Sequence, residues 1–222
     1  MSKSKAITQA KRKCTGNKFF IEFKNGMQKL AWGLFHQHDV LWLTGVAGTG
    51  KTYLATAFAI NECLQHKRKI IITRPIVDAG EKLGFLPGDF QEKVDPYMAP
   101  IYDSINKLVG LEGVHREKVQ SCLEIAPIAF LRGRTLDNAV CILDEAQNAT
   151  MEQLILFLTR MGENSKMIIT GDPTQSDIPN SGFTTIIDKL SGVQGLATIH
   201  FHSNEIVRHP MVAAILDKLN IK

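Results

Sequence analysis

The sequence predicts an α/β fold, a parallel sheet with helices on both faces, and three observations carry that prediction. Short runs rich in β-branched residues recur along the chain, helical patterns fall between several of them, and a glycine-rich loop joins the first run to a helix. Strands buried on both faces read as near-continuous apolar runs rather than alternating ones, and that is the form of these runs.

In chain order, an Asn25-Gly26 turn precedes a helical segment that contains Gln28. Val40 to Thr44 is a short apolar run feeding the glycine-rich loop, and Leu54, Ala55, Ala57, Phe58 and Ile60 continue beyond it as a helix. Lys69 to Thr73, Ile125 to Phe130, Ala139 to Leu143, Lys166 to Thr170 and Leu196 to His200 are the further expected strands. Helical patterns cover Lys93 to Lys107, Thr150 to Met161 and Phe183 to Leu190. Pro210 sits near the first turn of a final helix to Leu219, where its missing N–H is tolerated. Turn-rich spots at Pro87-Gly88 and Pro179 to Gly182 separate elements without suggesting a linker, and no repeat interrupts the chain. Residues 25–222 are therefore expected to form a single domain, with residues 1–24 as a basic tail or lead-in.

At 222 residues, 44% hydrophobic and 22% charged, the chain can bury one sizeable core and is short for two. Its longest apolar stretches, such as Ile125 to Leu131 and Met151 to Leu158, fall far below the roughly 18 to 20 residues that cross a bilayer. The N-terminal Lys3, Lys5, Lys11, Arg12 and Lys13 precede no apolar run of signal-peptide length, so a cytoplasmic protein without membrane association is expected. Cys14, Cys63, Cys122 and Cys141 lack any Cys-x-x-Cys spacing and read as inert thiols. The net charge of +4 weakly favours a polyanionic partner; the basic N-terminus reads first as a solvated, disordered tail and second as a nucleic-acid arm.

The chemistry concentrates in Gly45-Val46-Ala47-Gly48-Thr49-Gly50-Lys51-Thr52. Glycines at 45, 48 and 50 let the backbone turn tightly and aim successive N–H groups at an anion, while a helix from Lys51 adds its positive end. Lys51 supplies the mobile charge for the β- and γ-phosphates, Thr52 a hydroxyl for Mg²⁺, and Tyr53 completes the binding stretch. A second element is Val140 to Glu145, an apolar strand ending in two carboxylates at the sheet edge where α/β folds bind ligands. Asp144 would hold the Mg²⁺ shell, and Glu145 would act as general base or orient the attacking water. A third strand runs into Gly171-Asp172-Pro173-Thr174-Gln175, where Asp172 could brace a loop and Gln175 could reach the γ-phosphate or the lytic water.

Taken together, these residues resemble the PhoH family of P-loop ATPases, whose RecA-like core is similar to the first motor domain of superfamily 1 helicases. The matching segments are Gly45 to Leu54, Thr73-Arg74-Pro75, Ala79 to Gly88, Arg132 to Leu136, Leu143 to Gln147, Thr170 to Gln175 and Val207 to Pro210. The resemblance implies that Gln28 reads the adenine edge and that Gln147 couples nucleotide state to a polynucleotide groove. It implies a γ-phosphate arginine at Arg208, or at Arg132 or Arg134 acting across a subunit interface. It also places Arg74 along a sugar-phosphate backbone, with Lys82 and Lys93 extending a positive track; Phe85, Phe90 and Tyr97 are candidates for base stacking, with buried core the better reading for at least two of them.

The expectation is an ATP hydrolase using Mg²⁺ and acting on single-stranded RNA or DNA. A helicase of that superfamily closes ATP between two motor domains, so neighbouring subunits are expected to complete each site here, in a homo-oligomer of which a hexameric ring is one form. Two readings from other classes stay open: a P-loop kinase of small molecules, and a nucleotide-gated scaffold with little turnover.

Overall fold

A computed structural model of the chain describes residues 19–75, 90–110, 113–207, 211 and 218, and of residues 90–96 the backbone alone. In chain order the described elements are α1 (Gly26–Gln37), β1 (Val40–Gly45), α2 (Lys51–His66), β2 (Lys69–Thr73), α3 (Phe90–Val109), α4 (Val114–Cys122), β3 (Leu123–Ile125), β4 (Ala139–Leu143), α5 (Met151–Leu158), β5 (Lys166–Gly171), α6 (Phe183–Lys189) and β6 (Leu196–Phe201). Short 3₁₀ turns lie at Ile128–Leu131, Ala146–Asn148 and Ser203–Glu205. Of the expected final helix, Met211 and Lys218 fall among the described residues and both are helical.

The strands form one parallel sheet in the order β3-β2-β4-β5-β1-β6. Successive side chains on a strand point to opposite faces, so each apolar run feeds two cores. Leu41, Leu43, Ile70, Ile72, Val140, Ile142 and Ile168 meet α1 to α4 on one face. Trp42, Ile71, Cys141, Leu143, Met167 and Ile169 meet α5, α6 and the Ile128–Leu131 turn on the other. Phe19, Ile21 and Phe23, expected in the lead-in, already pack against the first of these cores. Local signals fix the helix starts: Asn25 accepts from the Gln28 amide at 2.9 Å, and Thr150 and Gln153 form a reciprocal capping box on α5.

Two elements differ from expectation. The run Ile125 to Phe130 is not one strand: β3 stops at Ile125, the Ala126 amide makes a bond to Ile72 O at 3.1 Å, and the chain then turns. Pro127 is the cause, because it has no N–H to donate to a ladder. Val114–Cys122, which no strong apolar period announces, forms α4 and buries Val119.

The order β5-β1-β6 brings the end of β1 hard against β6, and the Val46 amide donates to Phe201 O at 3.1 Å. Gly45 has φ +117°, and a Cβ built on it would lie 2.0 Å from Phe201 O. Only glycine fits, both for the dihedral and for the approach. Gly45→Ala is therefore expected to cost about 3 kcal/mol of folding stability, read as a lowered urea midpoint at unchanged slope.

Candidate active site

The loop after β1 delivers α2 with its N-terminus at Lys51, capped by Gly50 in the left-handed region at φ +86°. Lys51 Nζ folds back over the loop and donates to Gly45 O at 2.7 Å and Val46 O at 2.9 Å. Thr49 is fully buried, its hydroxyl donating to Val46 O at 3.0 Å. From the far side of the sheet edge, the Val207 amide donates to Gly48 O at 3.0 Å, tying the segment after β6 to the loop.

Asp144 follows β4 and is buried, held by its backbone amide donating to Thr73 O at 2.9 Å. Its Oδ1 accepts the Thr52 hydroxyl at 2.7 Å and the Thr170 hydroxyl at 2.5 Å. Burial pushes the Asp144 carboxyl above the usual carboxylate range, and the neighbouring Glu145 charge pushes it further; the Thr170 hydroxyl, Arg74 and the Thr52 hydroxyl pull it back. Glu145 takes a left-handed conformation at φ 55°, ψ 42°, which only a few per cent of non-glycine residues adopt and which concentrates at functional sites. Its Oε1 lies 3.0 Å from Arg74 Nη2, and its Oε2 accepts from Gln147 Nε2 at 2.6 Å.

Gln147 is buried and bridges two loops, because its Oε1 accepts the Asp172 amide at 3.1 Å. A Cβ at Gly171 would stand 3.0 Å from that Oε1 and 2.6 Å from Phe183 Cζ, so the residue before Asp172 must be small. Asp172 Oδ1 accepts the Thr174 amide at 2.9 Å and the Thr174 hydroxyl at 2.7 Å, the brace expected of it. Its Oδ2 is buried with no hydrogen-bond partner among the described residues. Asp144, Glu145, Thr170, Gly171 and Asp172 line a cleft of about 350 Å³ with Ala47, Gly48, Gly50, Lys51, Thr52, Tyr53, Ser104 and Gln175.

The structure thus gathers Gly48, Gly50, Lys51, Thr52, Tyr53, Asp144, Glu145 and Gln175 at one cleft. Gln28 lies against the P-loop without lining the cleft. It is buried, its Oε1 accepts the Lys24 amide at 2.8 Å, and its Nε2 donates to Thr49 O at 3.1 Å, so the amide braces the loop. Arg74, expected on a polynucleotide track, turns inward to Glu145 and to Tyr97 O at 2.8 Å, because two carboxylates and a carbonyl offer its guanidinium better partners than water does. Arg134 forms a two-pronged pair with Glu124 at 2.5 and 2.9 Å on the edge strand β3, while Arg132 is exposed. Arg208, Lys82 and the side chain of Lys93 lie outside the described residues, as do Phe85 and the side chain of Phe90. Sequence reasoning misses Thr170, the pairing of Arg74 with Glu145, and Ser104; Thr170 alone carries a signal, as a hydroxyl at the end of a central strand.

With this geometry in place, the sequence comparisons decide the family. The model of the PhoH family, described as PhoH-like protein, matches residues 20–220. The chain belongs to the PhoH family. The PhoH-like protein of Bacillus subtilis is 49% identical over 185 residues, covering 82% of this chain and 58% of that protein. Protein PhoH of Escherichia coli is 43% identical over 182 residues, covering 77% of this chain and 50% of its own length. This PhoH-family chain thus spans about half the length of the curated relatives it matches. Among solved structures, the large terminase of a thermophilic bacteriophage, in complex with ADP, superimposes with a TM-score of 0.58 at 12% identity, over 87% of this chain and 49% of that one. That likeness bears on the fold, which is the RecA-like P-loop NTPase architecture. No helix among the described residues is long and apolar enough to cross a membrane.

The PhoH-family site carries a buried charge at Asp144 whose pKa folding raises. Stability from such a group is present at low pH and is lost as pH rises from the unfolded value through the raised folded one. At neutral pH, without a bound cation, a carboxyl whose pKa folding raises is thus a net cost to the fold. Asp144→Asn keeps an acceptor for Thr52 and Thr170 and removes the charge. It is expected to raise the melting temperature in EDTA at pH 7 by roughly 2–4 °C, corresponding to about 1 kcal/mol in a chain of this size. The gap from wild type should close on acidification; a variant that melts lower at pH 7 would show that Arg74 more than offsets the burial.

Proposed function

We propose that this PhoH-family chain binds ATP with Mg²⁺ in the cleft and hydrolyses it, and that it acts on single-stranded RNA or DNA as a homo-oligomer. The observation that carries the reading is the Thr52–Asp144 hydrogen bond of 2.7 Å beneath the P-loop, with Glu145 next in the chain and at the rim of the same cleft. A hydroxyl and a carboxylate so placed are the oxygen donors that suit a hard divalent ion. The buried, unpartnered Asp172 Oδ2 in the cleft wall suits a donor such as ion-bound water. Mg²⁺, when bound, neutralises phosphate charge.

The chain's own residues supply the rest. The loop amides and Lys51 orient the triphosphate, Lys51 exchanging its loop carbonyls for phosphate oxygens. Glu145 accepts a proton from water as the water oxygen bonds to the γ-phosphorus; the bond to the bridging oxygen breaks and ADP leaves with the electron pair. Gln175 at the cleft wall is suited to hold the γ-phosphate or that water. Arg208 directly follows Val207, which is bonded to Gly48, and this supports it as the γ-phosphate arginine. A base beside the cleft favours hydrolysis over transfer to an acceptor, which sets the kinase reading second.

Glu145→Gln is expected to lower phosphate release by roughly 10²- to 10³-fold while leaving ATP affinity unchanged, whereas Lys51→Ala should lose ATP affinity. A Glu145→Gln chain that turns over normally would remove Glu145 from the mechanism. The polynucleotide half is checked by adding single-stranded RNA or DNA at low salt, where phosphate contacts are strongest; an unchanged rate would sink it.

A further inference from the structure

Arg74 leaves the end of β2 and gives its guanidinium to three acceptors of its own chain. Nη2 lies 3.0 Å from Glu145 Oε1, Nε lies 3.9 Å from Asp144 Oδ2, and Nη1 donates to Tyr97 O at 2.8 Å. The other oxygen of Glu145 is occupied as well, by Gln147 Nε2 at 2.6 Å. Both carboxylate oxygens of the proposed base are therefore engaged by protein donors, which leaves each about one lone pair for a water and lets those donors set how it approaches.

The two donors are not equally fixed. Gln147 is 3% exposed and pinned at its second amide atom by the Asp172 backbone, so it has nowhere to go. Arg74 is 18% exposed, faces a Glu145 that is 37% exposed, and is held by that carboxylate and by the Tyr97 carbonyl. A guanidinium fork fits a phosphate as well as a carboxylate, and a phosphodiester offers the charge Arg74 would give up on leaving Glu145.

Building on the ATPase reading above, we propose that Arg74 is a latch on Glu145: it holds the base in a low-turnover state, and a phosphodiester of a bound single strand takes the guanidinium and frees Glu145 Oε1. Polynucleotide stimulation then needs no movement of the P-loop, only an exchange of partners at one arginine. The Tyr97 carbonyl, on α3, ties the latch to the helix that brings Ser104 to the cleft.

The test is steady-state phosphate release by wild type, Arg74→Ala and Arg74→Gln, alone, with single-stranded poly(dT) or poly(U), and with inorganic phosphate at equal phosphate concentration. Arg74→Gln keeps an uncharged N–H donor in place of the guanidinium, so it guards against simple misfolding, and melting curves accompany every variant. The expected result is a basal rate raised roughly tenfold in both variants, the size of a lost charge-assisted hydrogen bond, with polymer stimulation abolished. The double variant Arg74→Gln/Glu145→Gln should lose that gain, because the effect passes through Glu145.

A lowered basal rate at unchanged melting temperature would make Arg74 an aid to the chemistry and overturn the latch. So would an unchanged rate with stimulation intact, or a double variant that keeps the gain. Stimulation of wild type by inorganic phosphate alone would overturn the polynucleotide as the releasing ligand. Wild type silent without polymer but Arg74→Gln active supports the latch; all forms silent under every condition sinks the ATPase reading and the latch with it.

Discussion

A single buried oxygen, Asp144 Oδ1, ties three strand ends together. It accepts one hydroxyl from the helix that follows β1 and one from the end of β5, while its own chain comes from β4. Those strands are neighbours in the order β4-β5-β1, so the bond exists only because the sheet is wound that way. A carboxylate in such a place is expensive, and the Thr52 and Thr170 hydroxyls meet part of that cost without cancelling it, which is why its pKa stays raised. The fold therefore tolerates a charge that folding itself does not need.

From that point a chain of side-chain bonds runs outward. Glu145 is set by a left-handed backbone, Gln147 holds Glu145 Oε2 and reaches the Asp172 amide, and Asp172 in turn fixes Thr174. The middle link, from Gln147 to the Asp172 amide, spans two loops that leave different strands. Because Gln147 lies over Gly171 with no room for a Cβ, a change in the loop after β5 is felt at Glu145 through packing as well as through hydrogen bonds.

Much of this is legible in the sequence where the signal is local. The P-loop, the strand ending in Asp144-Glu145, and Gln175 follow from spacing and apolar runs, and the central strands fall within a residue or so of their expected bounds. β3 is misread because Pro127 interrupts a run whose composition still looks like a strand. The partner of Thr170, the inward turn of Arg74 and the bracing contact of Gln28 are not legible, for one reason: each depends on a residue from a distant part of the chain, as Gln28 on Thr49 and Arg74 on Glu145. Strand order and register create those pairs, and no short window of sequence encodes them.

The same pairs explain how the cleft stays charge-balanced. Lys51 rests on two loop carbonyls and Arg74 on the carboxylates, so these two cations of the site are already engaged by the protein. In the proposed complexes, phosphate binding at these two cations is an exchange, in which the new contact replaces an existing one, and the free energy available there is the difference between them. Lys51 gives up neutral acceptors for charged ones and gains. Arg74 gives up a carboxylate for a phosphate and gains little, so its partner is set by which anion is nearby rather than by strength, and that near-equality is what an arginine poised between two anions requires.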